Sequence, residues 1–369
     1  MDRNRTDTIS VPRGLAGVVV ADTSISEVRG DAGTFHYRGT DAVALARSSS
    51  FEQVWQLLVD GRLPDVGDGE EFAQQIAGVR ASARLRTVAD AVRAVSPGAL
   101  AAVAATWSLL SDGAQDAALY DLAPQRRRDA AIAAAAVVPA AIALHCRRNP
   151  AYRRGVVADH LQAVTGREPD EWQQRALTAY LVLAMDHGFN ASTFTARVIA
   201  STGASMTACL TGALGALAGP RHGGAPSRSL DALDSVDEAA DMESWIHAEL
   251  ASGRRLMGFG HAVYRTRDPR AQLLKQLACE RGGRRVDLAV AYEQAADRVL
   301  GEVKPGRALH ANVELYAAVV MELCGIPREL MTATFAMARA VGWSAHVLEQ
   351  AADPKIIRPA SRYVGPEAA

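Results

Sequence analysis

The sequence has 369 residues, with 40 lysines and arginines against 41 aspartates and glutamates. A chain of this length is too long for one compact core, so we expect two lobes with a cleft between them. The near-zero net charge and the lack of a long basic stripe argue against nucleic acid as a partner, because phosphate backbones are bound by clustered cations.

The first residues predict a cytoplasmic protein that begins with a small hairpin. Residues 2–5 are polar and charged, and no apolar core or small-residue cleavage site of a secretory signal follows. Residues 18–20 and 34–37 form short β-branched and aromatic runs with Gly30 and Gly33 between them, which predicts an N-terminal β-hairpin. We expect little other sheet.

Helical patterns begin near residue 50. Phe51, Val54, Trp55 and Leu58 share one helix face, and the spacing of Ser50 and Gln53 suits a capping box before them. Gly61 is the expected terminator of this helix.

Alanine dominates the next region, residues 81–122 and 126–144, and predicts paired helices. We place its interruptions at Pro97-Gly98, Pro124 and Pro139. The apolar run 130–144 is shorter than a bilayer crossing and is flanked by arginines, so we interpret it as a buried helix and expect no membrane association.

Two glycine-proline breaks divide the second half of the chain. Helical patterns over 173–218 end at Gly219-Pro220, three further helical segments follow an acidic region at 234–241, and a second break lies at 325–327. We therefore predict an all-α fold with two domains. The breaks place a smaller domain at residues 219–327.

The four cysteines, Cys146, Cys209, Cys279 and Cys324, are far apart in sequence and never form a close pair. Neither zinc-site nor redox spacing is present, so we expect reduced thiols and no metal.

Three histidines stand beside glycine or a helix break, namely His187, His222 and His261. A single histidine of this kind is more often a structural loop residue than a catalytic one, so the argument depends on the three together. The nearby fragment Gly258-Phe259-Gly260 lacks the third glycine and the βαβ setting of a dinucleotide fingerprint, which excludes a Rossmann interpretation.

Successive motifs in the chain resemble the signatures of citrate synthases. They are DHGFNASTF at residues 186–194, GPRHGG at 219–224 and GFGH at 258–261, in the order that the family has. The resemblance extends from Gly14 to the C-terminal KIIRP (355–359) and YVGP (363–366). It implies a helical homodimer in which residues 1–218 and 328–369 form the large domain and residues 219–327 form a small one that carries most catalytic residues. It also implies an acyltransferase that converts the acyl group to alkyl on transfer.

The resemblance also implies roles for the histidines. His222 would hold the thioester oxygen of acetyl-CoA while the methyl group loses a proton, His261 would polarise and protonate the oxaloacetate carbonyl, and His187 would help to bind oxaloacetate. A thioester methyl is a very weak carbon acid, so its enolate needs a placed donor in a water-poor site. Acetyl-CoA is a substrate, and no cofactor is expected.

Oxaloacetate has two carboxylates, and planar guanidinium groups bind carboxylates through paired hydrogen bonds. By the same resemblance the oxaloacetate-binding arginines would be Arg270, Arg339 and Arg358, with Arg358 reaching across the dimer interface. The segment that would lie along CoA comprises Leu256, Met257, Gly258, Phe259 and Gly260.

The chain departs from the family pattern at the expected base. The family has aspartate in an Asn-Val-Asp sequence, whereas this chain has Asn312-Val313-Glu314, which moves the carboxylate outward by one methylene. We predict that Glu314 remains the base, because its spacing from His261 persists. Arg221 is a second departure, and an adjacent cation disfavours a protonated His222.

Two other functions remain open from the sequence. A 2-methylcitrate synthase would share these residues but accept propionyl-CoA, and one methylene is worth only about 1–3 kcal/mol of discrimination. A weakened paralogue that binds substrates without turnover is a further alternative, motivated by Glu314. Citrate synthesis from acetyl-CoA, oxaloacetate and water is the function that the sequence favours.

Overall fold

A computed structural model describes residues 9–95, 97–111, 118–148, 152, 154–220, 222–223, 225–261, 263–307 and 309–366. Over these ranges the chain forms sixteen α-helices and one three-stranded sheet, which confirms the all-α prediction. The strands are β1 (Ser26–Arg29), β2 (Thr34–Tyr37) and β3 (Thr40–Asp41). The helices are α1 (Ala42–Ser48), α2 (Phe51–Asp60), α3 (Val66–Arg80), α4 (Ala83–Val95), α5 (Ala99–Leu110), α6 (Pro124–His145), α7 (Val156–Thr165), α8 (Glu171–Ala184), α9 (Ala191–Ala200), α10 (Met206–Leu217), α11 (Ala225–Asp234), α12 (Met242–Ala251), α13 (Pro269–Arg281), α14 (Arg284–Val303), α15 (Val313–Leu323) and α16 (Arg328–Gln350).

The N-terminal sheet corrects one predicted strand. β1 pairs antiparallel with β2, with Arg29 opposite Thr34, so residues 30–33 close the hairpin. Residues 18–20 have no strand structure, and the side chain of Val19 is 83% exposed. The prediction followed β-branched composition, but the partner of β2 is fixed by the length of the connecting loop and by burial of Phe35 and Tyr37 against the core.

The helix ends follow the sequence closely at α2 and less closely at α6. Ser50 and Gln53 form the predicted capping box, and Gly61 ends α2 with a φ of 81°. Pro139 was predicted to interrupt the alanine-rich region, but it lies inside α6. Residues 131–132 and 134–144 of α6 are buried, and this packing outweighs the roughly 3 kcal/mol that an internal proline costs a helix.

By length and composition α6 could also cross a membrane, and it is the only such helix in the described part of the chain. Of its most apolar 18-residue window, 72% is buried inside the protein. Buried core helices pass the same test of length and hydropathy, so this helix is weak evidence for a membrane span.

The segment between the two glycine-proline breaks packs largely on itself. Helix α11 packs against α14 and α15, α12 against α14, and α13 against α15. Four helices follow the acidic region where three were predicted, because Gly282 and Gly283 separate α13 from α14. Helices α13 and α15 also pack against α8, and the predicted domain boundary stays a prediction.

Helix α16 is the central element of the fold. It packs against α2, α5, α6, α8, α9, α10 and α11, and most of its residues are buried. Because α16 contacts helices from both halves of the chain, its middle turns can place side chains beside α8 and α15, which also contact each other.

Candidate active site

One pocket brings together six of the seven side chains that the sequence singles out for catalysis and oxaloacetate binding. His187, His222, His261, Arg270, Glu314 and Arg339 all line it. The other lining residues are Tyr180, Ala184, Asn190, Asn312, Val313, Ala317 and Phe335. The exception is Arg358, which is exposed in the C-terminal segment and does not line this pocket of its own chain.

Glu314 lies in the first turn of α15, and its position follows from the helix cap. The Asn312 side chain caps α15 by accepting a hydrogen bond from the Glu314 amide at 3.0 Å and donates to the Gly260 carbonyl at 2.9 Å. Burial raises the pKa of Glu314 to about 7, and the charge of Arg270 only partly opposes this effect. A carboxyl group whose pKa lies near 7 is suited to accept and return a proton at neutral pH.

His261 has a defined tautomer. Its Nδ1 accepts hydrogen bonds from the backbone amides of Val263 and Tyr264, both at 3.0 Å, so the proton of the neutral ring lies on Nε2. Nε2 is 3.1 Å from Nη2 of Arg270, which can only donate. Two N–H donors therefore lie side by side and can share one acceptor oxygen. Burial and the charge of Arg270 lower the pKa of His261 to about 4, so the ring is neutral at pH 7.

His222 is held by a serine. Its Nε2 is 2.8 Å from the Ser192 hydroxyl oxygen, which also lies 2.7 Å from Oδ1 of Asn190 and accepts a hydrogen bond from Nε1 of Trp343 at 3.1 Å. The single hydroxyl proton can face either Asn190 or His222. When it faces His222, Nε2 accepts, and Nδ1 carries the ring proton as a donor. Burial lowers the pKa of His222 to about 4, with a smaller contribution from Arg339.

His187 stands in a turn that a buried carboxylate organises. Asp186 accepts hydrogen bonds from the Gly188 amide at 3.0 Å and from the Ser26 hydroxyl, and its Oδ1 is 3.2 Å from Nε2 of His346. Gly188 has a φ of 65°, a conformation that glycine adopts without strain. The turn directs His187 into the pocket, where burial holds the pKa of its ring well below the usual value.

Two arginines supply positive charge to the pocket. Arg270 is buried, and its Nε and Nη2 donate to the Asp268 carboxylate at 3.0 and 2.8 Å. Arg339 is also buried, and its Nε donates to the Ala184 carbonyl at 2.7 Å. Its Nη1 has no hydrogen-bond partner within the described ranges, which leaves a cation that favours an anionic ligand.

The segment predicted to lie along CoA, residues 256–260, is joined by backbone hydrogen bonds to residues 310–312 beside the pocket. Phe259 pairs with Ala311, the Gly260 amide donates to the His310 carbonyl at 2.9 Å, and the Gly258 carbonyl accepts from the Asn312 amide at 2.8 Å. These bonds join the loop of His261 to the start of α15. Gly258 and Gly260 have φ angles of 82° and 80°, which favour glycine at both positions without CoA, so contact with CoA stays a prediction.

Sequence reasoning missed the residues that hold the site together. Asp268 accepts hydrogen bonds from Arg270 and also from the Val313 amide at 3.0 Å, so one carboxylate joins the starts of α13 and α15. The only sequence signal for Asp268 was its position before Pro269 and Arg270, the pattern of a helix N-cap. Ser192 and Asp186 lie within the quoted motifs, but nothing in their spacing indicated their partners.

The described residues contain no group of three or more histidine, cysteine or acidic side chains placed to hold a metal ion. Arg221, Gly224 and Ala262 lie outside the described residues. The suggested effect of Arg221 on His222 is therefore a prediction from sequence alone.

Comparison with known proteins gives a consistent result. The family described as "Citrate synthase, C-terminal domain" matches residues 14–360. A Mycobacterium tuberculosis protein named "Putative citrate synthase 2" is 41% identical over 96% of this chain and 92% of its own length. The citrate synthase of Haloferax volcanii is 36% identical over 96% of this chain and 95% of its own.

Solved structures agree in fold. The crystal structure of citrate synthase from Thermotoga maritima superposes with a TM-score of 0.84 at 32% identity and covers 98% of this chain and 97% of that one. The Thermoplasma acidophilum citrate synthase in ternary complex with carboxymethyl coenzyme A and oxaloacetate gives a TM-score of 0.86 at 26% identity, with 98% of both chains covered.

Proposed function

The chain belongs to the citrate synthase family of acyltransferase-type condensing enzymes, and on that premise we propose that it condenses acetyl-CoA with oxaloacetate and water to give citrate and CoA. The observation that carries the proposal is the composition of one pocket. A carboxyl group with a pKa near 7, two neutral imidazoles and two buried guanidinium groups face the same space.

The first step is removal of a proton from the acyl methyl group by Glu314. The electrons left on carbon move to the thioester oxygen, which becomes an enolate oxygen and needs a hydrogen-bond donor. His222 can donate from Nδ1 once the Ser192 hydroxyl faces Nε2. Apolar neighbours, among them Ala317 and Phe335, keep water away from this part of the pocket and strengthen that hydrogen bond.

The second step is attack of the enolate carbon on the oxaloacetate carbonyl. Its oxygen gains negative charge as the carbon bond forms, and Nε2–H of His261 beside Nη2 of Arg270 offers two donors to that oxygen. His261 then protonates the alkoxide. The unpaired guanidinium of Arg339 is suited to a carboxylate of the same substrate, and His187 lies beside His261, with 5.3 Å between ring centroids. Hydrolysis of the thioester releases CoA.

A homodimer that shares Arg358 belongs to the same proposal. Helix α10 consists almost entirely of small and apolar residues, and it leaves Ala208 and Gly215 exposed. An exposed face of this composition suits close packing against a second helix. Arg358 is exposed beyond the end of α16, as an arginine that serves a neighbouring subunit must be. Loss of oxaloacetate affinity in Arg358→Ala, with an unchanged dimer mass by light scattering, is the expected result.

The proposal is tested by release of free CoA when oxaloacetate is added with either acetyl-CoA or propionyl-CoA. We expect acetyl-CoA to give the higher kcat/KM, and a preference for propionyl-CoA would instead assign 2-methylcitrate synthesis. Glu314→Gln should lower kcat by about 100-fold or more. The matched control is Glu329→Gln, because Glu329 occupies the same position in the first turn of α16 but is exposed.

Oxaloacetate binding without CoA release would contradict the proposal and favour a binding protein. Isothermal titration with oxaloacetate alone measures binding in the absence of turnover. Combined with the CoA-release assay, it identifies a protein that binds oxaloacetate but does not catalyse condensation. Near-normal turnover of Glu314→Gln would exclude Glu314 as the base while leaving the reaction itself established.

A further inference from the structure

The N-terminal hairpin touches both histidine loops of the pocket. Phe35 on β2 packs edge to face against His187, with 5.5 Å between ring centroids. The loop that closes the hairpin, residues 30–33, packs instead against residues 263–267, which follow His261. One small sheet therefore contacts the side of the pocket formed by residues 186–190 and the side formed by residues 261–267.

The contact at the hairpin tip is between two backbones. A Cβ atom on Gly30 would lie 2.3 Å from the carbonyl oxygen of Val263 and 2.9 Å from its carbonyl carbon. The Arg265 amide also donates a hydrogen bond to the Gly30 carbonyl at 3.2 Å. Gly30 does not have a positive φ, so the approach of Val263, and not backbone conformation, is what requires glycine here.

Val263 is one of the two residues that determine the tautomer of His261. The amides of Val263 and Tyr264 both donate to Nδ1, and this keeps the ring proton on Nε2. A competing tautomer is available, because Nε2 lies 3.1 Å from Nη2 of Arg270 and could accept a hydrogen bond from it. In that tautomer Nδ1 carries the proton, and Nε2 has none to give to a substrate oxygen.

We propose that Gly30 is a positioning residue that acts through His261: the hairpin tip holds the Val263 backbone where its amide keeps the imidazole proton on Nε2, facing the pocket. The kinetic consequence rests on the function proposed above, whereas the tautomer itself does not.

A Cβ atom on Gly30 must displace Val263. Ordinary van der Waals contact begins at 3.4 Å, whereas the Cβ atom would lie 2.3 Å from the Val263 carbonyl oxygen. The two atoms must therefore move apart by about 1 Å. Because the oxygen belongs to the backbone, rotation of a side chain cannot relieve this clash. A hydrogen bond stretched by this amount is lost, and His261 then retains one amide donor against the charged donor of Arg270.

The kinetic experiment compares Gly30→Ala with Gly39→Ala. A misplacement of about 1 Å can cost on the order of 100-fold in rate, so we expect a fall of that size in kcat for Gly30→Ala, with little change in KM for oxaloacetate. Gly39 is the matched control: it lies in the other turn of the same sheet, has a φ of 81°, and has nothing within 4 Å of its Cβ position. Gly39→Ala should lower stability and leave kcat unchanged.

A double-mutant cycle tests whether the effect passes through His261. In a His261→Gln background, Gly30→Ala should change kcat by less than about twofold, because the group it positions is already absent. If the full loss persists in the double variant, Gly30 does not act through His261, and the inference is overturned.

The tautomer can be observed without turnover by ¹⁵N NMR of histidine-labelled protein, with the His261 signals assigned by their absence in His261→Gln. The wild type should show a protonated Nε2 and an unprotonated Nδ1, and Gly30→Ala should shift this balance. A wild-type ring protonated on Nδ1 overturns the inference even if Gly30→Ala does not fold. Absence of condensation by the wild type would instead refute the proposed function, and the NMR result would still decide the role of Gly30.

Discussion

Two arginines face the same pocket in opposite electrostatic surroundings. The guanidinium of Arg270 is paired with the carboxylate of Asp268 through two hydrogen bonds. Arg339, equally buried, donates to one backbone carbonyl and has a nitrogen without a partner among the described residues. The pairing fixes Arg270 in place and offsets its charge, whereas Arg339 remains a cation that a bound carboxylate can neutralise.

The two arrangements differ in their free energy before substrate binds. A buried pair roughly offsets its own desolvation, but a buried charge without a partner destabilises the free protein. Burial accordingly lowers the pKa of Arg339, whereas the interaction with Asp268 outweighs burial and raises that of Arg270. We infer that Arg270 mainly maintains the geometry of the pocket, whereas Arg339 mainly contributes to the affinity for substrate.

Loss of the paired partner should have the largest effect. Asp268→Asn leaves Arg270 buried without a carboxylate, and breaking a buried pair in this way costs about 3–5 kcal/mol of unfolding free energy. Urea denaturation measures the loss. The matched control is Asp90→Asn, because Asp90 also pairs with an arginine but is 99% exposed, and such pairs are worth about 1 kcal/mol or less. A loss below about 1 kcal/mol for Asp268→Asn would show that Arg270 does not depend on this pair.

The second prediction concerns pH. Burial gives Glu314 a pKa of about 7 against an ordinary value of 4.5, and Arg270, whose charge Asp268 offsets, only partly opposes this shift. A raised carboxyl pKa means that the folded state binds the proton more tightly than the unfolded state. Stability is therefore highest below about pH 4.5 for this group and falls as pH rises to about 7, by roughly 3 kcal/mol. Activity has the opposite slope, because the base must be ionised.

Denaturation midpoints and kcat measured from pH 5 to 8 test this opposition. Glu314→Gln should remove the part of the pH dependence of stability that arises from the Glu314 carboxyl group. Asp268→Asn should expose the charge of Arg270 and move the rise in kcat to lower pH. A kcat that does not change across this range would exclude a group of pKa near 7 from the rate-limiting chemistry.

Substitution of Arg339 should weaken substrate binding strongly and change the stability of the protein little. Arg339→Met removes a charge-assisted contact worth about 1.5–3 kcal/mol, so KM for oxaloacetate should rise by roughly 10- to 100-fold. The same change removes a buried charge that Asp186 attracts but that makes no salt bridge within the described ranges, so the unfolding free energy should change by less than about 1 kcal/mol. Arg328→Met, which removes a half-exposed arginine paired with Asp234 in the first turn of α16, is the control for the change in KM. A clear loss of stability in Arg339→Met would contradict the division between the two arginines.

The sequence predicted features that depend on local chain properties or on motifs. The capping box of α2 and the break at Gly219 needed no tertiary information, and the motifs identified six pocket residues through a family resemblance. Residues 18–20 and Pro139 were misjudged because burial decides between structures that local propensity leaves open. The contact of Asp268 with the Val313 amide could not be predicted, since Val313 lies 45 residues away and meets Asp268 only when α13 and α15 pack together.

The smallest predicted effect concerns the groups that hold the tautomers of the two histidines His222 and His261. Backbone amides fix the tautomer of His261, but only a rotatable hydroxyl supports that of His222. Ser192→Ala removes the donor to Nε2, so His222 can lose the proton on Nδ1 that the enolate oxygen needs. One neutral hydrogen bond contributes about 1 kcal/mol, which predicts a fall in kcat of about tenfold or less.

Ser344→Ala is the matched control for Ser192→Ala, because Ser344 is equally buried but its hydroxyl donates to the Val341 carbonyl of its own helix. Steady-state kinetics with acetyl-CoA should place the Ser192→Ala loss in kcat and leave the KM for oxaloacetate unchanged. A loss as large as that of Glu314→Gln would mean that Ser192 also holds the pocket together. That result is physically possible because Trp343 donates to the same hydroxyl and would lose its acceptor. Trp343→Phe removes that donor and keeps an aromatic ring at the position. It therefore distinguishes the role of Ser192 as a partner of Trp343 from its role as a partner of His222.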